Sequence, residues 1–275
     1  MGDLAADTAV EGLGDGRYAA TPSKDWEIWG PNGGYMAALA LRAAGCQSSH
    51  GRPASIACHY LARADFLPVE IQVTSLRTSA RVESLRVSMT QEGRAVLEAL
   101  VWAAGELDGP QREWTKPGTI ASPLDVPSVE EVAAAHNFPA LPFWKNIEIR
   151  IITGPDPGSQ EAQEPLVLAW NRFRPQAIFD DPWIDACRAT VLVDVHQFPA
   201  ASRGFARTEL TFAAPSLDLY VAFHAQAPKD DWLLSESRGL ISHSGLLGGR
   251  ACVWSRDGLL LASGGQQMLQ RSFAS

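Results

Sequence analysis

The chain has 275 residues, 46% of them hydrophobic and 20% charged, which suits one large or two ordinary globular domains with a full core. Its formal net charge of -8 argues against nucleic acid or an anionic membrane as partner. The four cysteines, Cys46, Cys58, Cys187 and Cys252, form no CxxC pair and no metal-ligand spacing, which predicts free thiols in a reducing cytoplasm. The N-terminus lacks a basic region followed by an apolar run, so no secretory leader is expected.

Residues 1–15 read as a flexible lead-in, and 17–30 as a short strand followed by a loop carrying Trp26 and Trp29. The stretch from Pro31 to Gly45, PNGGYMAALALRAAG, is then apolar on nearly every side, with Arg42 alone polar between Tyr35 and Ala44. A helix with no solvent face must be wrapped by other elements. It is too short for a bilayer, which needs about 20 apolar residues. Asn32 fits its N-cap and Gly45 the left-handed position after its end. Gly33 and Gly34 in its first turn have two readings: close packing against a neighbouring element, or backbone N–H groups left open for a ligand oxygen.

From residue 54 the period changes to two. Leu85, Val87 and Met89 alternate with Arg86, Ser88 and Thr90, and similar runs lie at 55–63, 71–79 and 95–103. Glu92-Gly93 supplies a hairpin turn. Recurrent prolines from Pro110 to Pro142 mark 105–142 as a linker, with one short helix at 129–135. The second half repeats the order. Strands are expected at 146–153 and 166–173, separated by the loop GPDPGSQEAQEP. A mostly apolar helix over 183–193 follows, capped by Asp181 with Pro182 at its first position. After a long loop, 197–213, come strands at 217–224, 232–238, 249–256 and 259–269, with an Asp257-Gly258 turn where the first half has Glu92-Gly93.

One helix wrapped by an antiparallel sheet, twice in one chain, is a double hotdog: an α+β fold of two antiparallel sheets, each around a long buried helix. Residues 1–104 form the first unit and 143–275 the second. Sheets joined edge to edge would remove exposed strand edges.

No nucleophile-elbow serine, phosphate-binding loop or HExxH zinc motif is present. His59 and His224 fall in comparable strands and suit core or rim positions, while His196, just past the second helix, is a weaker site candidate. Asp194 ends the apolar run RATVLV at the C-terminal end of that helix. The helix dipole there disfavours a carboxylate by about 0.3–1 kcal/mol, and burial would add to this; both raise its pKa. Such a group is either a surface end or a base. Gln266 lies in the strand-like run LLLASGGQQML, and inward-facing glutamine needs a partner. Ser216 follows Pro215 and opens a strand.

Taken together, WGPNGGYMAALALRAA, the strand segment from Ala54 to Ala104, VLVDVHQFPA, PSLDLYVAFH and DGLLLASGGQQ resemble the TesB-like acyl-CoA thioesterases, over about residues 17–271. The resemblance implies hydrolysis of fatty acyl-CoA to free acid and CoA. It carries the family's catalytic Asp onto Asp194, its hydroxyl residue onto Ser216 and its Gln onto Gln266. These groups would hold and activate a water, with no metal, no other cofactor and no covalent acyl-enzyme. Gly33 and Gly34 would polarise the substrate carbonyl. The chain departs from the family in having Ser for Thr at 216, Tyr35 where Gln is common, and Ala62-Arg63 in place of Arg-Pro. The expected partner is acyl-CoA, with neither nucleic acid nor membrane; homo-oligomer formation is left open. The alternatives are a hotdog hydratase or dehydratase, which would want a paired His and Asp, and an acyl-CoA-binding protein without turnover.

Overall fold

The computed structural model describes residues 1–136, 142–153 and 159–273. Pro139 of the linker and part of the loop GPDPGSQEAQEP lie outside the described residues. In chain order the first half comprises α1 (Leu4–Asp7), β1 (Glu11–Gly14), β2 (Arg17–Ala20), α2 (Gly33–Gln47), β3 (Arg52–Tyr60), β4 (Val69–Thr78), β5 (Val82–Gln91) and β6 (Arg94–Ala104). After α3 (Val129–His136) follow β7 (Ile147–Thr153), β8 (Leu166–Phe173), α4 (Pro182–Val195), α5 (Gln197–Ser202), β9 (Phe212–Ala213), β10 (Asp218–Phe223), β11 (Leu233–His243), β12 (Leu246–Trp254), β13 (Leu260–Leu269) and β14 (Arg271–Ser272).

Twelve strands form one antiparallel sheet in the order β1-β2-β4-β5-β6-β3-β10-β13-β12-β11-β8-β7. A single sheet thus stands where two were expected. β3 pairs with β10 from Asp218 opposite His59 to Ala222 opposite Ser55. About that junction the order is the same in both directions, so β6 matches β13, β5 matches β12 and β4 matches β11. The hairpin turns carry the residues their geometry requires. Glu92-Gly93 and Ser244-Gly245 both have positive φ at their two central positions, as a type I′ turn needs.

The two apolar helices pack antiparallel to each other and against the sheet. Every residue of α2 from Gly34 to Ala44 except Arg42 is buried, as is nearly all of α4. A Cβ on Gly34 would stand 2.9 Å from the Val191 Cα. At the other end of α2, a Cβ on Gly45 would stand 2.6 Å from the Trp183 ring. Glycine at both ends of this contact lets two backbones approach where any side chain would collide. Arg42 leaves the apolar face to meet Asp181, the N-cap of α4, at 3.4 Å.

Three expectations are corrected. Gly45 lies inside α2, which runs on to Gln47, because the glycine serves the Trp183 contact and not the helix end. Residues 1–8 are packed and not loose, while 11–14 are exposed and pair with β2 as β1. Leu4 is 1% exposed, Asp3 caps α1 through the Ala5 and Ala6 N–H groups, and Asp7 accepts the indole N–H of the buried Trp26 at 2.9 Å. The loop 197–213 contains α5 and β9, with Ala200 and Ala201 buried. No helix among the described residues is long and apolar enough to cross a membrane. All four cysteines are free thiols.

Candidate active site

Asp194 stands in the last turn of α4, with the start of α2 against it. Its carboxylate is 6% exposed by residue and is held from three sides. Oδ2 accepts the Gly34 backbone N–H and the Asn32 side-chain Nδ2–H, both at 2.9 Å. Oδ1 lies 3.3 Å from Ser216 Oγ. Burial raises the Asp194 pKa, and the bonds from Gly34, Asn32 and Ser216 offset part of that rise. The unfavourable end of its own helix is therefore answered by the favourable end of another: the carboxylate caps the N-terminus of α2.

Gln266 reaches the same point from β13. Its neighbour on that face, Gly264, admits α4, since a Cβ there would stand 3.0 Å from Val193 Cγ1. One step along the strand, Gln266 Nε2 donates to the Asp194 backbone carbonyl at 3.3 Å, which orients the amide. Its Oε1 then faces Ser216 Oγ at 2.9 Å. Ser216 is fixed because the flanking backbone pairs with β13 and its continuation: Leu217 N–H donates to Gln267 O, and Leu269 N–H to Pro215 O. Asp194, Ser216 and Gln266 form one hydrogen-bonded cluster.

The glycine pair behaves differently at its two positions. The Gly34 N–H is taken by Asp194, so it is not open to a ligand as one sequence reading had it; the carboxylate occupies the anion site that the helix start offers. The Gly33 N–H has no hydrogen-bond partner among the described residues. A Cβ on Gly33 would lie 3.2 Å from Tyr60 Oη and 3.3 Å from Asp194 Oδ1.

Two residues of this site escape sequence reasoning. Asn32 was legible as a cap, and its Oδ1 does accept the Tyr35 N–H at 3.0 Å; that role leaves its NH₂ free to hold Asp194. Tyr60 continues the inward face of β3 after Ile56 and Cys58, a period-two signal that was present. Its Oη is buried without a hydrogen-bond partner, an arrangement that costs about 1–3 kcal/mol. Burial raises its pKa well above the ordinary tyrosine value, so it is an O–H donor at physiological pH.

The histidines face elsewhere. His196 is buried, with a pKa lowered to about 4 by burial. Its Nε2 meets Asn171 Oδ1 at 2.9 Å, and its ring stacks on Trp144. His59 is exposed, and His224 bonds Ser263. Among the described residues no cluster of His, Cys, Asp or Glu is arranged to hold a metal ion. A groove of about 790 Å³ lies along the β3, β10, β12 and β13 strands beside Leu100, Tyr220 and Ile241; of the clustered residues only Gln266 borders it.

Residues 22–104 match the acyl-CoA thioesterase N-terminal domain and residues 123–270 the acyl-CoA thioesterase C-terminal domain. The chain belongs to the acyl-CoA thioesterase family and is a thioester hydrolase. In fold it is similar to acyl-CoA thioesterase II TesB2 from Mycobacterium marinum (18% identity, TM-score 0.80, 99% of each chain covered). It is likewise similar to a hot dog fold protein of unknown function from Alicyclobacillus acidocaldarius (22%, 0.81, 100% of each). A third such structure is the tesB protein of Mycobacterium avium subs paratuberculosis (21%, 0.77, 98% of each). No curated protein matches the chain.

Proposed function

We propose that the protein hydrolyses fatty acyl-CoA by direct attack of a water held by Asp194, Ser216 and Gln266. The observation that carries this is the division of labour within one buried carboxylate. Oδ2 is saturated by two N–H donors, which leaves Oδ1, beside Ser216, as the basic oxygen. Water oxygen bonds to the thioester carbon while one water proton passes to Oδ1 and the carbonyl electron pair moves onto oxygen. Collapse breaks the C–S bond, and the leaving CoA thiolate takes the proton back from Asp194. The products are the carboxylic acid and free CoA. Gly33 N–H is placed to polarise the carbonyl, and Gly34 serves by positioning Asp194. Trp29 and Phe198, which meet edge to face just before α2 and just after α4, suit an apolar acyl group.

In this reading the chain is a double hotdog, with units 1–104 and 143–275 on either side of the linker 105–142, each built around its helix. A reducing cytoplasm suits its four thiols. The hydratase alternative is disfavoured by His196, whose Nε2 is engaged by Asn171. A panel of acyl-CoAs of increasing chain length, followed by free-thiol release, tests the function. Stoichiometric CoA and acid are expected. Absence of thiol release from every thioester would overturn the reading, and a hydrated acyl-CoA product would establish the alternative.

A further inference from the structure

The buried tyrosines of this chain satisfy their hydroxyls, with one exception. Tyr18 Oη donates to Gln47 Oε1 at 3.0 Å, and Tyr35 Oη donates to the Asp7 carbonyl at 2.6 Å while accepting the Ser23 N–H at 3.1 Å. Tyr220 is 49% exposed. Among the tyrosines of the described residues only Tyr60 has a hydroxyl that is enclosed and unpaired. It is not enclosed at random. The point where a Cβ on Gly33 would stand is 3.2 Å from Tyr60 Oη and 3.3 Å from Asp194 Oδ1, so the hydroxyl and the basic oxygen close on the start of α2 from two sides. The other unpaired donor there is the Gly33 N–H. Cys58, two residues earlier on the same strand face, is a buried thiol close enough to the hydroxyl to contribute to its raised pKa, but not in hydrogen-bond geometry with it.

Resting on the thioesterase reading above, we infer that Tyr60 is a catalytic residue: its Oη–H donates to the thioester carbonyl oxygen alongside the Gly33 N–H. Two donors beside one base are the groups that a carbonyl oxygen under attack by water calls for. An oxygen that gains negative charge as water adds would strengthen both bonds, and it reaches the enclosed Oη by displacing the side chains packed around it. Gly33 is required in this arrangement because a side chain would fill the space between hydroxyl and carboxylate.

The test is Tyr60→Phe, which removes one oxygen and keeps the ring. Turnover is expected to fall by roughly 10²–10³-fold, the usual effect of losing an oxyanion donor, with KM changed by only about threefold or less. Because the lost hydroxyl has no partner in the free protein, the melting temperature should be unchanged or higher. Binding of two inert ligands reads the carbonyl contact without turnover. One is a CoA analogue in which CH₂ replaces sulfur and the ketone remains; the other is the S-alkyl CoA thioether, which has no carbonyl. The variant should lose about tenfold more affinity for the ketone than for the thioether. Unchanged turnover, or equal affinity loss for both ligands, would overturn the assignment and mark Tyr60 as packing. Wild-type cleavage alongside an unaffected variant removes Tyr60 alone, whereas a wild type that neither cleaves nor binds any acyl-CoA removes the proposed function and this inference together.

Discussion

In the proposed mechanism Asp194 is a single carboxylate that serves as base without a histidine. Burial alone would drive it towards the neutral acid, and three hydrogen bonds to the ionised form pull it part of the way back. Its net shift is upward, so the acid limb of a kcat/KM profile should lie above the ordinary carboxylate range. Asn32 controls one of these bonds. Asn32→Ser keeps a good N-cap but removes the Nδ2–H that favours the ionised form. The acid limb should therefore move to higher pH in this variant, with a loss of stability of about 1–3 kcal/mol for the buried bond removed; a pH–rate profile and a thermal melt check both. Asp194, Ser216 and Gln266 were accessible from the sequence through family resemblance. Asn32 was half visible. Capping explains an asparagine completely at the level of local sequence, and its second partner is 162 residues away. Tyr60 was hidden for a different reason: an inward aromatic on an alternating strand needs no further explanation until its hydroxyl is found without a partner.

At the scale of elements, the site depends on how close α2 and α4 can approach. The Gly34 Cα faces backbone and not flexible side-chain ends, with the Val191 Cα 2.9 Å and the Thr190 carbonyl 3.1 Å from where a Cβ would stand. Gly34→Ala must separate the helices, and such overpacking typically costs 1–3 kcal/mol. It would also carry the Gly34 N–H away from Asp194 Oδ2. A melting temperature several degrees lower, together with a large loss of turnover, is the expected outcome; a variant with wild-type stability and activity would show that the contact has slack. Both helices and the strands of the main sheet other than β1 were legible because their apolar periods are long and regular. The errors fell where local and tertiary uses of a residue compete. Gly45 near a helix end suggests termination, but here the Trp183 ring claims the missing side chain. The N-terminal segment looks loose by composition and is held by a few long-range contacts, such as Gly2 N–H to Asn146 Oδ1 at 2.8 Å. Short α5 has no periodic stretch long enough to announce itself.

The whole molecule brings the two halves together twice, once through the sheet at β3 and β10 and once through the helices. The candidate site lies where these meet. Asp194, Ser216 and Gln266 come from the second half, while Asn32, Gly33, Gly34 and Tyr60 come from the first. The repeat in element order was readable from the sequence, but the shared site was not, because no motif within either half contains both the base and the groups that hold it. The central claim is that the Asp194 carboxylate activates the attacking water. Asp194→Asn keeps its size and can still accept from Gly34 and Asn32. It also removes a buried group whose pKa is raised in the fold. Such a group favours folding below its unfolded value of 3.8 and loses that contribution as pH rises through the folded value. The variant should therefore be at least as stable as wild type at neutral pH, with the difference fading in acid. The decisive measurement is its kcat for release of free CoA from a cleaved acyl-CoA. A fall of roughly 10²–10⁴-fold in a folded variant that still binds acyl-CoA is predicted, and turnover within a few-fold of wild type would contradict the mechanism.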